Sequence, residues 1–224
     1  MTTTQPDLIS PDFAAIGIQY LLDDATTYPW PDADLVIADP PWKYAQKFCA
    51  SGADDHYAGL PTKEIVRILD GMPGRRLALW CTGPILAEWF EASRGWSWGK
   101  CRTQGSWTKS SPEDSGHYGS GFHWAGCAEP VLIYTRKGST NDRSSPLRSA
   151  WIERPTSHSR KPVGWMEQWI RRWVPAMGLV LDPFAGGRLL ESADLTELLR
   201  QAAGPDAVLA GTGSTATLAG TVTD

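Results

Sequence analysis

Short apolar runs alternate with segments of helical spacing along this chain, and turns bearing proline or glycine separate them. Leu35-Val36-Ile37-Ala38 is a continuous apolar run that stops at Asp39-Pro40-Pro41. That is the pattern of a strand buried on both faces and ended by residues that cannot extend a ladder. From Pro61 to Leu69, Ile65, Val66, Ile68 and Leu69 predict a helix with one apolar side. Arg76 to Cys81 predicts a second buried strand, and Pro84 to Ser93 a second helix carrying Leu86, Trp89 and Phe90 on one side. Pro130 to Tyr134 predicts a third strand, followed by a polar stretch over 139–157. Pro162 suits the first position of a helix on which Trp165, Trp169 and Trp173 repeat every four residues, a stripe read as core. Leu179 to Asp182 then forms a strand entering the turn Pro183-Phe184-Ala185-Gly186-Gly187. A helix over about 189–203 and a short strand at Ala207 to Gly211 follow.

Strands alternating with helices imply an α/β domain with a mostly parallel sheet and helices on both faces, whose ligands sit at the carboxyl ends of the strands. The expected division is an N-terminal extension over 1–15, the domain over 16–205, and a Gly/Thr-rich C-terminal tail over 206–224.

Composition narrows the class. The 224 residues are 42% hydrophobic with a net charge of -4, as in an ordinary globular domain. The 12 Trp outnumber the 6 Tyr and 5 Phe combined, which calls for a thick core or stacking surfaces. No run is long and apolar enough for a membrane span, and the N-terminus lacks the basic-then-apolar pattern of a signal peptide. Cys49, Cys81, Cys101 and Cys127 are too widely and irregularly spaced for a zinc site or a small disulfide framework, and the histidines are equally scattered. Free thiols, a reducing cytoplasm and no metal are expected.

Charge is uneven. The first forty residues carry several aspartates and no Lys or Arg, whereas 136–172 is rich in Lys and Arg. A basic segment in an acidic protein suggests a local contact with phosphates.

Two acidic strand ends stand out: Asp39-Pro40-Pro41-Trp42 and Asp182-Pro183-Phe184-Ala185-Gly186. Together they resemble the motifs of amino-methyltransferases that use S-adenosyl-L-methionine, and the Trp version resembles the MT-A70 family of adenine-N6 methyltransferases. Tyr44, Trp80-Cys81-Thr82, Trp107-Thr108-Lys109, Glu129-Pro130 and His158-Ser159-Arg160-Lys161-Pro162 agree with it. The match spans about 20–187, in the permuted order of the microbial and phage DNA enzymes, with the catalytic motif first. The resemblance implies a single Rossmann-like methyltransferase domain that acts on adenine N6 in DNA. Its catalytic residues would be Asp39, Pro40, Pro41 and Trp42, with Asp24, Asp39, Lys161, Asp182, Pro183, Phe184, Ala185 and Gly186 around the donor. Trp42, Tyr44, Lys109, His123, Trp124, Glu129, His158 and Arg160 would face the substrate.

The chemistry wants these residue types. An adenine amino nitrogen is a poor nucleophile because its lone pair is delocalised into the ring. A carboxylate at Asp39 and a carbonyl at Pro40 can each accept one N–H and draw the nitrogen toward tetrahedral geometry. Proline holds that carbonyl in place and brings no competing N–H. Trp42 would stack on the extruded base. Lys161 stands just before a helix start, a seat for the donor carboxylate.

The chain also departs from the family pattern. Ala125 stands where many members carry arginine, the donor turn continues Gly186-Gly187-Arg188-Leu189, and the strand ending at Gly211 lacks an acidic residue for the donor ribose. These departures imply weakened donor affinity, or a donor pocket completed by substrate, by an oligomer contact or by a partner subunit. They also motivate a competing reading as a catalytically inactive nucleic-acid-binding relative. Within the enzyme class, cytosine-N4 or RNA adenine-N6 methylation presents the same amino geometry.

Overall fold

The computed structural model describes residues 18–21, 29–44, 59–109, 126–137, 147–154, 161–175, 178–184 and 208–212. Within them, Leu35–Ala38 (β2) and Arg76–Trp80 (β3) lie side by side in parallel, Leu35 opposite Arg76 and Ala38 opposite Leu79. All four residues of β2 are buried, which explains why the run is apolar without alternation. On its other side β2 pairs in parallel with Leu179–Asp182 (β7). β7 pairs in parallel with Val208–Thr212 (β8), and β8 with Ile18–Leu21 (β1).

Beyond β3 the direction changes once. Ala128–Thr135 (β5) is antiparallel to β3 and to Thr103–Thr108 (β4), and β4 pairs in parallel with the short Ala150–Ile152 (β6). The eight-stranded sheet runs β1-β8-β7-β2-β3-β5-β4-β6, and β5 alone of these strands is reversed. The sheet takes in Val208–Thr212, so it reaches past the composition boundary at residue 205.

Helices cover both faces. Thr62–Asp70 (α1) turns Ile65, Ile68 and Leu69 inward, and a 3-10 turn at Gly83–Ile85 leads into Leu86–Ala92 (α2), which buries Trp89. They pack with Val36, Ala38, Leu77 and Leu79. Val163–Trp173 (α3) covers the other face, packing Trp165, Met166, Trp169 and Ile170 with Leu35, Ile37, Ala78 and Trp80. Alternate residues of β2 and β3 thus feed opposite cores, as the pleat requires. The helix expected over 189–203 lies outside the described residues.

Most of the tryptophans described make the core. The Trp80 ring lies 6.0 Å from that of Trp107, 6.1 Å from that of Trp165 and 5.7 Å from that of Trp169. On the opposite face Trp89 meets Trp42 and Trp96 edge-on at 5.6 and 5.1 Å. Most buried indole N–H groups find acceptors: Trp89 donates to the Tyr134 hydroxyl at 2.8 Å, Trp98 to the Leu69 carbonyl at 2.7 Å and Trp107 to the Glu153 carbonyl at 2.8 Å. Such rings fill volume while satisfying their one polar atom, and Trp80 is the exception, its indole N–H having no acceptor among the described residues.

Trp165 reaches β4 at Gly105, where a Cβ would come within 2.7 Å of the ring edge. Since the ring is itself packed against Trp80, Trp169 and Trp151, it has little room to give. Gly105→Ala should therefore destabilise the fold by about 1 to 3 kcal/mol, as overpacking does. Urea unfolding checks this: an unchanged midpoint would show that the ring moves freely.

Candidate active site at the carboxyl edge of the sheet

The topology gathers the sequence-singled residues at one edge. β2 ends in Asp39, β3 in Cys81-Thr82, β7 in Asp182 itself and β4 in Lys109. The reversed β5 brings Glu129 to this edge from its beginning rather than its end. α3, lying on the sheet, begins here with Lys161-Pro162. In open α/β sheets this edge is where ligands bind.

Four charges meet there. The Lys161 ammonium contacts Asp39 Oδ2 at 3.0 Å and Glu129 Oε2 at 3.0 Å, and Lys109 holds Glu129 Oε1. Lys161 is only 9% exposed and sits 5.4 Å from the centre of the Trp80 ring. Burial alone would strip its proton, but Asp39 and Glu129 outweigh that and hold the ammonium above the ordinary lysine value. Glu129 is likewise opposed by burial, yet Lys161 and Lys109 keep its carboxyl below the usual range. For Asp39 burial wins. Its carboxyl is raised despite Lys161, with the Glu129 charge adding to the rise. Lys161, expected as a seat for the donor carboxylate, thus lies between two carboxylates of the chain itself, and Lys109 and Glu129, expected to face substrate, hold each other.

Asp182 is fully buried. Its Oδ1 accepts the Phe184 N–H at 2.9 Å, closing the turn through Pro183, while Oδ2 has no hydrogen-bond partner among the described residues. Burial pushes this carboxyl up to about 7; the Phe184 N–H pulls the other way and the nearby Asp39 charge adds to the rise. An acceptor left bare in the interior is costly unless something supplies a donor.

The loop after β2 is held by backbone. Leu60 donates its N–H to the Pro41 carbonyl at 2.6 Å, and Lys43 donates to the Leu60 carbonyl at 3.1 Å. Pro40 is buried. Trp42 is 6% exposed, donates its indole N–H to the Trp80 carbonyl at 3.3 Å and packs edge-on against Trp89. It stands as a wall of the site, with little ring surface offered outward. Tyr44 donates its hydroxyl to Thr82 Oγ1 at 3.1 Å, tying this loop to the end of β3. Thr82 was visible in the sequence only as part of a strand end. Asp24, Ala185, Gly186, His123, Trp124, His158 and Arg160 lie outside the described residues.

The described residues of the basic segment do not share one surface. Arg136, at the opposite end of β5, lies 4.3 Å from the centre of the Trp98 ring and donates to the Met72 carbonyl at 2.6 Å. Arg171 bonds Glu167 at 2.6 Å near the end of α3, also away from the site. Of the segment's described cations, Lys161 belongs to the site edge, joined there by Lys109 from the end of β4. Charge counted along 136–172 mixes the two ends of the sheet. Among the described residues no His/Cys/Asp/Glu group is arranged to hold a metal, and no helix is long and apolar enough to cross a membrane.

An open, mostly parallel sheet with one reversed strand and helices on both faces is a Rossmann-like α/β fold. The chain is similar to the crystal structure of the M1.HpyAVI-SAM complex, with a TM-score of 0.55 and 17% identity over 88% of this chain and 93% of that one. It is equally similar to the crystal structure of M1.HpyAVI, with a TM-score of 0.56 and 17% identity over 89% and 93%. No family model and no curated protein matches the sequence.

A carboxyl raised by folding contributes stability that is present below its unfolded value near 4 and is lost as pH rises to about 7. Asp182→Asn removes that loss. Relative to wild type, the variant's unfolding free energy should gain about 1.4 kcal/mol per unit at most across that window and level off above it. A pH-independent difference in denaturant titrations would mean that Asp182 is not the titrating group.

Proposed function

We propose that this chain is an S-adenosyl-L-methionine-dependent methyltransferase of MT-A70-like type, acting on the N6 amino group of adenine in DNA. The observation that carries this reading is the meeting of Asp39 and Asp182 at the ends of adjacent parallel strands, each in the motif context described above. The fold likeness to M1.HpyAVI, whose structure was determined in complex with SAM, supports the donor.

The residues present fit the donor. The bare Oδ2 of Asp182 suits an ammonium group, and the turn through Pro183 and Phe184, continuing to Ala185 and Gly186, would hold the methionine part. Asp24 would meet the adenosine part. When bound, S-adenosylmethionine supplies a methyl group already activated by its sulfonium.

The chain's own contribution is alignment. Asp39 and the Pro40 carbonyl accept the two amino N–H groups of adenine. Lys161 on Oδ2 opposes the rise that burial imposes on Asp39 and aims its carboxylate. Pro40 and Pro41 restrict the loop, and the Leu60 N–H on the Pro41 carbonyl anchors it. Trp42 and Tyr44 wall the pocket for the base, with His123, Trp124, His158 and Arg160 contributing from its rim. Extruding the base costs a few kcal/mol, and Trp42, expected to stack on it, is too buried to return that by its ring face. Positioning two reactants is worth about 7 to 11 kcal/mol, enough to carry most of the acceleration for an activated donor.

Incubating the protein with labelled donor and either DNA or RNA, then analysing nucleosides by mass spectrometry, tests the reading. N6-methyladenine in DNA is expected, and Asp39→Ala should lower it by at least about 100-fold, the scale of losing a positioned electrostatic group, with an unchanged circular dichroism spectrum. N4-methylcytosine, or product in RNA alone, would redirect the substrate. Nucleic-acid binding with no methyl transfer would favour the inactive relative, which the absence of a carboxylate in Gly211-Thr212 at the end of β8 motivates.

A further inference from the structure

Glu129 and Lys109 are placed to do something other than touch a base. Both Glu129 oxygens are engaged, Oε1 by Lys109 and Oε2 by Lys161. The Glu129 side chain is 16% exposed. The sheet builds this pairing: Glu129 stands opposite Trp107 in the β4–β5 register, and Lys109 donates its backbone N–H to the Cys127 carbonyl at 2.7 Å. The Lys109 ammonium also lies 5.1 Å from the centre of the Trp107 ring. The result is a line of alternating charge, Lys109, Glu129, Lys161, Asp39, fed by four different elements and ending on the carboxylate that meets the substrate.

We propose that Lys109 and Glu129 are positioning residues that complete this alternating chain and seat Lys161 on Asp39, so that the charge at Lys109 acts on Asp39 along this line, across Glu129 and by way of it, rather than by contact with substrate. The inference rests on reading Asp39 as the carboxylate that binds the amino group. Glu129 competes with Asp39 for Lys161, and Lys109 restrains that competition by neutralising Glu129. Each link therefore acts on Asp39 with the opposite sign to its neighbour. Around Asp39 the other titratable groups are Asp182 at the end of β7 and Cys81 at the end of β3; the latter's thiol is pushed up to about 12 by burial and stays uncharged. Neither belongs to the chain, so neither imitates the alternation.

Carboxyl-carbon NMR of protein labelled at aspartate reads this directly, with the Asp39 signal assigned by its loss in Asp39→Asn. Lys161→Met should move the Asp39 titration midpoint up by about one unit or more, as loss of an adjacent cation does. Glu129→Gln should move it down. Lys109→Met should move it up again by less, and Lys109→Arg, which keeps the charge, should restore it. Lys109 is 21% exposed at a strand end, so its replacement leaves the core intact. The acid limb of methyl transfer should shift in the same order. Midpoints that move the same way in Glu129→Gln and Lys109→Met, or fail to move in Lys109→Met, would overturn the chain. Full transfer by Asp39→Asn would instead sink the functional reading while leaving the titration order as found, so the two failures are distinguishable.

Discussion

A lysine ammonium taken almost wholly out of water stays charged only if anionic partners replace the hydration it loses, and Lys161 sets that requirement for this fold. Asp39 and Glu129 supply the partners, one from the end of β2 and the other from the beginning of β5. Had β5 run with its neighbours, Glu129 would stand at the far edge of the sheet. The single reversal in an otherwise parallel sheet is therefore an electrostatic necessity of this site as well as a feature of topology. Breaking one partner of such a buried set costs about 3 to 5 kcal/mol, because the charge left behind is uncompensated.

The same constraint places α3. Its first turn must begin beside Asp39, and from there its axis lies across β2 and β3, bringing Trp165 and Trp169 onto Trp80. Trp80 then serves two neighbours at once: its ring floors the Lys161 ammonium and fills the core, while its backbone carbonyl receives the Trp42 indole from the opposite face. The two cores are thus joined through one residue at the end of β3. A substitution there would take the ring from the site and from the α3 face while leaving the carbonyl that holds Trp42 in place.

Much of this was legible in the chain. β2 and β7 appear with the bounds their apolar runs predicted, because strands buried on both faces leave no polar residue to blur the pattern. α3 followed from Pro162 and the spacing of its tryptophans. β4 was not legible: Thr103-Gln104-Gly105-Ser106-Trp107-Thr108 buries only Gly105 and Trp107, so its apolar signal is one side chain. β6, three residues in a polar stretch, gives less still. In the site, Asp39 and Asp182 could be singled out by motif. The pairing of Glu129 with two lysines could not, because it depends on the direction of β5 and on where α3 begins. The basic window misled for the same reason: charge counted along the chain says nothing about which end of a strand each residue occupies.

The sheet also carries an order in time. β2, β3, β5 and β4 come from one stretch of chain between residues 35 and 135, whereas β1 finds its place only beside β8, whose residues lie beyond 207. Contacts between distant segments are slow to form because the intervening chain must be closed first. During synthesis the half of the sheet bearing Asp39 can assemble while β1 still waits for its neighbour. The half bearing Asp182 closes last, so Asp39 stands at its strand end before Asp182 has a place beside it.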